Sequence, residues 1–368
     1  MAEARTTWLT NGQLITPKGL VRGAVGIRDG RIVAIRSSAP RGERGINMRG
    51  RFVSPGFIDL HVWGDPAVVA RHVVRGGTTG FLTTLGPEPP ELLVNDVVRV
   101  QTPAPPPGAR CLGIHLEGPF LNPFRAGALA SRWLRPPTSR ELRQLVQHAD
   151  GRLILMTIAP ELPKGLEAIR WCARHGVTVS LGHSDANAAV TQRAVKAGAA
   201  AVTHVFNGMR PLHHRDPGLL GEVLTDDRLA AMVILDGVHV DPIAFQMLLR
   251  CKGARGIILA TDSITHHHRQ LQASAKRGAY YTKAGVLAGS RLSLIQAVRN
   301  ATTFGKVPLL EAVRMASLNP ARLIGRAGQL GSLEVGKRAD LTVFDGRFRV
   351  SMTIVNGQVV YRRRQYIK

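Results

Sequence analysis

"GVTVSLGHSDANAAVTQRAVKAGAAAVTHVFN", residues 176–207, sets the reading of this chain. It opens with a short apolar run rich in β-branched residues (176–184) and closes with another (199–207). The intervening residues 186–198 have the period of a helix. Strand, helix, strand, with both strands nearly continuously apolar, predicts a parallel pair buried on both faces. Both runs end in polar islands: "SLGHSDA" around His183, and "THVFNGMRPLHHRDPGLLG" around His204. Histidines at the ends of the most hydrophobic segments could fill a core, touch nucleic acid or bind a metal.

The same unit recurs on either side. Apolar runs lie at 56–62, 78–85, 110–118, 152–160, 229–237 and 254–263, which with the first two makes eight. Helical patterns such as "PKGLEAIRWCARH" (163–175) separate most of them. Eight strand–helix units predict an α/β protein, a closed (β/α)8 TIM barrel, spanning residues 55–326. The ends of the chain read differently. "LTNGQLITPKG" and "GAVGIRDGRIVAI" near the start, and residues 332–361, carry Asn-Gly and Asp-Gly turns between short alternating strands. Residues 1–54 and 327–368 are expected to meet as one small β-sandwich domain.

Composition narrows the function classes. The chain has 368 residues, 44% hydrophobic and 20% charged, enough for a packed core. No apolar stretch reaches the roughly 18 residues of a membrane helix, and the N-terminus lacks the pattern of a signal sequence. Three cysteines, Cys111, Cys172 and Cys251, without redox or metal spacing point to a reducing, cytoplasmic setting. The net charge of +24 comes from 49 basic residues, of which nine are Lys and forty Arg. The arginines are scattered and not interleaved with aromatics, so a compositional bias explains them better than nucleic-acid binding.

In a barrel of this kind the C-terminal strand ends share one mouth. Read in order, they carry His61 and Trp63, His115 and Glu117, His183, His204, Asp236 with His239, and Asp262. A single histidine at a strand end reads most simply as a hydrogen-bonded structural residue. Glu117, His183, His204 and Asp262 together read as more. Two imidazoles and a carboxylate suit a catalytic divalent ion, with a nearby aspartate for proton transfer. His213, His214 and the run His266–His268 fall in loops and read as solvated.

Beyond spacing, the motifs "SPGFIDLHVWG", "HLEGPFLNP", "LGHSDA", "THVFNGMRPLHHRDPGLLG", "LDGVHVDP", "ATDS", "LAGSRLSL", "ASLNPARLIG" and "GSLEVGKRADLTVFD" follow in order along the chain. Together they resemble the N-acetylglucosamine-6-phosphate deacetylase family of the amidohydrolase superfamily. The resemblance implies removal of the acetyl group from an amino-sugar phosphate, giving acetate and glucosamine 6-phosphate. It implies Glu117, His183 and His204 as ligands of one divalent ion, with Zn2+ the first choice and Fe2+, Co2+ or Mn2+ open. Asp262 would be the catalytic acid–base. Asn207, Gly208, Asp236, His239 and the run Leu287, Ala288, Gly289 would contact the substrate. Arg215 would join His239 on the phosphate, across a homodimer interface.

Two positions depart from the family pattern. His-x-His after the first strand is here His61-Val62-Trp63, leaving His61 without its partner for a second metal. Where the family has Lys-Gly-Ala-His, this chain has "AGAL", with Ala128 and Leu129 in place of Ala-His. That histidine helps polarise the substrate carbonyl; His61, His115 and His266–His268 are the candidates to replace it. Three rival readings follow: an amidohydrolase for another N-acyl amino sugar or amide, a catalytically weakened sugar-phosphate-binding homologue, or a nucleic-acid binder suggested by the charge.

Overall fold

The structure is a computed structural model that describes residues 5–43, 45–100, 108–265, 271–274 and 278–363. The eight apolar runs form strands β6–β13: Phe57–Trp63, Thr78–Leu85, Arg110–Glu117, Leu153–Ile158, Thr178–Leu181, Ala199–Val202, Ala230–Ile234 and Ile257–Ala260. All neighbours in this series pair in parallel, in sequence order. Helices cross over between strands as expected. The one between β10 and β11, Ala188–Ala197, starts on the side chain of Asn187 and stops at Gly198 in the left-handed region.

The expected closed barrel is seen as a curled sheet. Its hydrogen-bonded order runs from β13 round to β6 and then to β14 (Ser263–Ile264), β17 (Leu287–Ser290), β16 (Ala279–Thr282) and β15 (Leu271–Ser274). Among the described residues β13 and β6 share no ladder. The cause is a break in the chain direction at Asp262, whose φ is +49°. Beyond it the backbone rejoins β6: Asp262 N–H donates to the His61 carbonyl at 2.8 Å, and Ser263 pairs with Val62. In the gap the side chain of Asp59 stands in for a strand, accepting from the Thr261 hydroxyl at 2.6 Å and its amide at 3.2 Å.

Leu82, Leu155, Met232 and Ile258 belong to one buried cluster. Each lies two residues before Thr84, Thr157, Ile234 or Ala260 near the C-terminal end of its strand, hence one layer lower. Ala321, Ile324 and Leu330 join the same cluster from the far end of the chain.

The terminal segments form a second sheet. β1–β5 (Thr7–Thr16, Gly19–Arg28, Arg31–Arg36, Gly45–Asn47, Phe52–Pro55) meet β18–β20 (Leu341–Phe344, Val350–Val355, Gln358–Arg362) through an antiparallel β5–β18 pair, Val53 opposite Val343. The eight strands are one connected sheet, bent where β1 has a bulge between Leu9 and Gly12 and changes partner from β4 to β5. Its core includes Leu14, Val25, Ile32 and Leu341.

Candidate functional site

Four polar residues end the strands of the curled sheet. Glu117 is the last residue of β8; His183, His204 and Asp262 each lie two residues beyond β10, β11 and β13. These last three have φ values of +46°, +31° and +49°. Left-handed backbone costs a non-glycine residue of order 1 kcal/mol. Here it turns each side chain off its strand axis and into a common space, and all three are buried.

Glu117 Oε1 lies 2.7 Å from His204 Nε2 and 3.1 Å from His183 Nε2, and the two nitrogens are 3.1 Å apart. Ligands of a tetrahedral ion with bonds of about 2.0–2.1 Å stand about 3.3 Å apart, so the two 3.1 Å edges match within about 0.2 Å and the 2.7 Å edge is about 0.6 Å short. The donor set suits a cation. His183 Nδ1 is 2.7 Å from the Arg125 carbonyl, which can only accept, so Nδ1 carries the proton and neutral Nε2 offers its lone pair. That lone pair faces a carboxylate and a second ring nitrogen. His204 Nδ1 is buried without a partner among the described residues. Burial raises the pKa of Glu117, but His61 and the close contacts with His183 and His204 override it and hold the carboxylate well below its usual range. Glu117, His183 and His204 could thus hold one divalent ion.

His61 is buried beside this triangle. The ligand atoms of His61, Glu117 and His204 lie within 4.8 Å of one another. Its Nδ1 is 2.8 Å from His115 Nδ1, which is itself 3.0 Å from the Leu60 carbonyl. The carbonyl assigns the proton to His115 Nδ1, so His61 Nδ1 is an acceptor when neutral and its proton sits on Nε2. Burial lowers the His61 pKa, yet Glu117 and Asp262 outweigh it and bring it to about 9. In this arrangement Nε2 carries hydrogen, so it would bind an ion only by giving up that proton. It stands 2.9 Å from Asp262 Oδ1 and 3.5 Å from Glu117 Oε2, its N–H axis aligned on neither. Behind His115 a buried hydroxyl chain continues through Thr157 (2.8 Å) and Thr203 (2.9 Å) to Ser180 (2.6 Å).

The site opens into a cleft of about 1040 Å3 lined by Glu117, His183, His204 and Asp262. Asn207, Gly208, His239, Leu287, Ala288, Gly289, Ala128 and Leu129 line the same cleft. At Gly208 a Cβ would come within 2.8 Å of His183 Nδ1, so only glycine lets this loop pass the ring. Leu129 packs against Leu121, Ala126 and Leu134 while facing the cleft. Asp236 stays off the cleft wall and holds His239 instead: its Oδ2 takes His239 Nδ1 at 2.7 Å and its Oδ1 the amides of Val238 and His239. Arg215 is exposed and also off the wall, with Nη1 3.0 Å from His214 Nε2. The run His266–His268 lies outside the described residues.

Sequence reasoning misses several members. Trp63 reads from sequence only as a lost ligand, yet its indole N–H donates to Asp262 Oδ1 at 2.8 Å. Thr84 lines the cleft with a buried hydroxyl that has no partner among the described residues. Asp185 in "LGHSDA" accepts from Arg125 at 2.9 and 2.5 Å and from Arg210 at 2.8 Å. Those arginines pull its pKa down to about 2. Asp185 thereby ties down the very residue whose carbonyl orients His183. Only the alternation along β9 and β11 could have pointed to Thr157 and Thr203.

A carboxylate and two imidazoles at strand ends, with a second carboxylate in the same cleft, form the constellation of a metal-dependent hydrolase. Residues 52–360 match the amidohydrolase family. An N-acetylglucosamine-6-phosphate deacetylase of Vibrio furnissii is 35% identical over 83% of this chain and 82% of its own length. An N-acetylgalactosamine-6-phosphate deacetylase of Escherichia coli O157:H7 is 36% identical, covering 83% of this chain and 86% of its own. The crystal structure of N-acetylglucosamine-6-phosphate deacetylase from Pasteurella multocida superposes with a TM-score of 0.88 at 28% identity, covering 97% of this chain and all of that one. The chain belongs to the amidohydrolase family and, within it, to the N-acetylglucosamine-6-phosphate deacetylases.

Proposed function

We propose that this chain hydrolyses the acetamide of N-acetylglucosamine 6-phosphate to acetate and glucosamine 6-phosphate. The observation that carries the reading is the convergence of Glu117, His183 and His204 to within 3.1 Å, in one cleft with Asp262. Glu117, His183 and His204 would hold a divalent ion, with zinc among the metals that imidazole and carboxylate ligands suit, and that ion would supply an acidified water and a Lewis acid for the acyl oxygen. The chain's own residues do the rest. Asp262 takes the proton of the attacking water and delivers it to the departing amine, so one carboxylate serves as base and then acid. His239, locked by Asp236, and the Asn207–Gly208 turn hold the sugar phosphate, with Arg215 reaching the phosphate of a second copy in a homodimer. The exposed position of Arg215 supports that arrangement.

The wider architecture fits this reading. Treated as one interrupted strand, β13 and β14 close the (β/α)8 barrel through Ser263 and Val62. Residues 1–54 and 327–368 then form the small β domain. The chain's free thiols, Cys111, Cys172 and Cys251, suit a cytoplasmic setting. No described helix is long and apolar enough to cross a membrane.

A second reading rests on the galactosamine relative: the substrate could be the C4 epimer, N-acetylgalactosamine 6-phosphate. Both chemistries need the same site. Acetate release from each 6-phosphate, and from unphosphorylated N-acetylglucosamine, tests them together. Turnover of neither phosphate ester with metal supplied overturns the proposal.

A further inference from the structure

We propose that Trp63 is a positioning residue for Asp262: its indole N–H fixes one carboxylate oxygen so that the other is presented to the cleft. The inference rests on the assignment of proton transfer to Asp262. Trp63 Nε1 donates to Asp262 Oδ1 at 2.8 Å. His61 Nε2 is as near, 2.9 Å, and pairs with the same oxygen, but in poorer hydrogen-bond geometry than the indole. Among the described residues no hydrogen bond reaches Oδ2, so the indole provides the aligned contact that sets the carboxylate's rotation. An indole is a donor only. It cannot take a proton from Asp262 and it cannot bind a metal, so it holds Oδ1 as a permanent acceptor and leaves proton traffic to Oδ2.

Trp63 is itself held from three sides. Its carbonyl accepts from the Thr265 amide at 3.1 Å and the Thr265 hydroxyl at 2.9 Å. Its ring meets His61 edge-on, with centroids 6.1 Å apart. The outer edge of the indole lies over Gly86, where a Cβ would come within 2.9 Å of two ring carbons. Gly86 has an ordinary backbone conformation, so the ring, and not the main chain, is what refuses a side chain there. Asp262 sits in left-handed backbone at the break between β13 and β14, where its own strand gives little hold on its side chain. A donor from the neighbouring strand supplies that hold.

The experiment compares Trp63→Phe, Gly86→Ala and the double variant, with and without Asp262→Asn, in the metal-loaded enzyme. Removing one hydrogen bond to a charged group predicts a fall in kcat of about tenfold to a hundredfold in Trp63→Phe, with KM within about twofold and metal content unchanged. Gly86→Ala, by displacing the indole, should lower kcat in the same direction. In the Trp63→Phe background it should cost nothing further, because the smaller ring leaves the space open. In the Asp262→Asn background, Trp63→Phe should cost little more. A loss in KM alone, or an equal loss whether or not Asp262→Asn is also present, would make Trp63 a cleft wall and overturn the proposal. A readout independent of turnover separates this from failure of the assigned activity. The 15N indole resonance that Trp63→Phe removes should move in Asp262→Ala protein, and a resonance indifferent to Asp262 refutes the contact even in a chain that deacetylates nothing.

Discussion

Asp262→Asn removes a proton acceptor while leaving its surroundings almost untouched. The carboxamide is isosteric, and its oxygen can still accept the Trp63 indole N–H that now lies 2.8 Å from Oδ1. The backbone bond from Asp262 to the His61 carbonyl is independent of the side chain. The left-handed conformation suits Asn at least as well as Asp. Folding stability should therefore change by no more than about 1 kcal/mol, the net worth of an ordinary hydrogen bond. The chemical step loses its acid–base group, worth about 10²–10⁴ in rate, or about 2.7–5.4 kcal/mol at 1.36 kcal/mol per tenfold. The assay is initial-rate acetate release at saturating N-acetylglucosamine 6-phosphate, with metal content and thermal unfolding measured on the same preparation. A variant that keeps its metal and melting temperature and turns over at near-native rate would refute the role given to Asp262.

Other substitutions test separate parts of the site. Arg215→Ala should weaken phosphorylated substrates by about tenfold to a hundredfold, the worth of a charge-assisted contact, and leave N-acetylglucosamine itself unaffected; equal losses on both would assign Arg215 to its own loop. Leu129→His places a donor on the cleft wall and should raise kcat, by up to the ~10²–10³ of one carbonyl-polarising group, if no other side chain fills that role; an unchanged kcat means that another does. Asp185, with its pKa depressed from 3.8 to about 2 by Arg125 and Arg210, contributes stability that is fully present above about pH 4 and is lost as pH falls through 2. Its side chain is about a third exposed (34%), so the effect is under about 1 kcal/mol; Asp185→Asn should flatten the melting temperature between pH 4 and 2, and an unaltered slope would remove Asp185 from the account.

The strand–helix alternation is legible because parallel strands buried on both faces leave long apolar runs, and all eight runs form strands. The strand ends are legible for a related reason: a polar residue such as Glu117, His183 or His204 stands out against such a run. The break between β13 and β6 is not. It turns on the backbone at Asp262 and on side-chain bonds of Asp59 where ladder bonds would stand, and neither leaves a periodic trace. Trp63 is hidden for a different reason. Its one polar atom reaches a residue 199 positions away, and from the sequence the position reads only as a lost metal ligand. The family motif sets Asp236 near the substrate, and in the fold its side chain pairs with His239, a contact that no spacing announces. Arg215 is expected at the phosphate; within a single chain it is exposed and does not line the cleft.

The central claim is that Glu117, His183 and His204 hold a single ion on which deacetylation depends. Elemental analysis of the purified chain, followed by chelation and stepwise return of Zn2+, Fe2+, Co2+ or Mn2+ with acetate release followed at each step, tests it directly. Activity should vanish on chelation and return in proportion up to about one ion per chain, with His204→Ala unable to retain the ion. Two tightly held ions in well-washed protein, or full acetate release from metal-free protein, would contradict it.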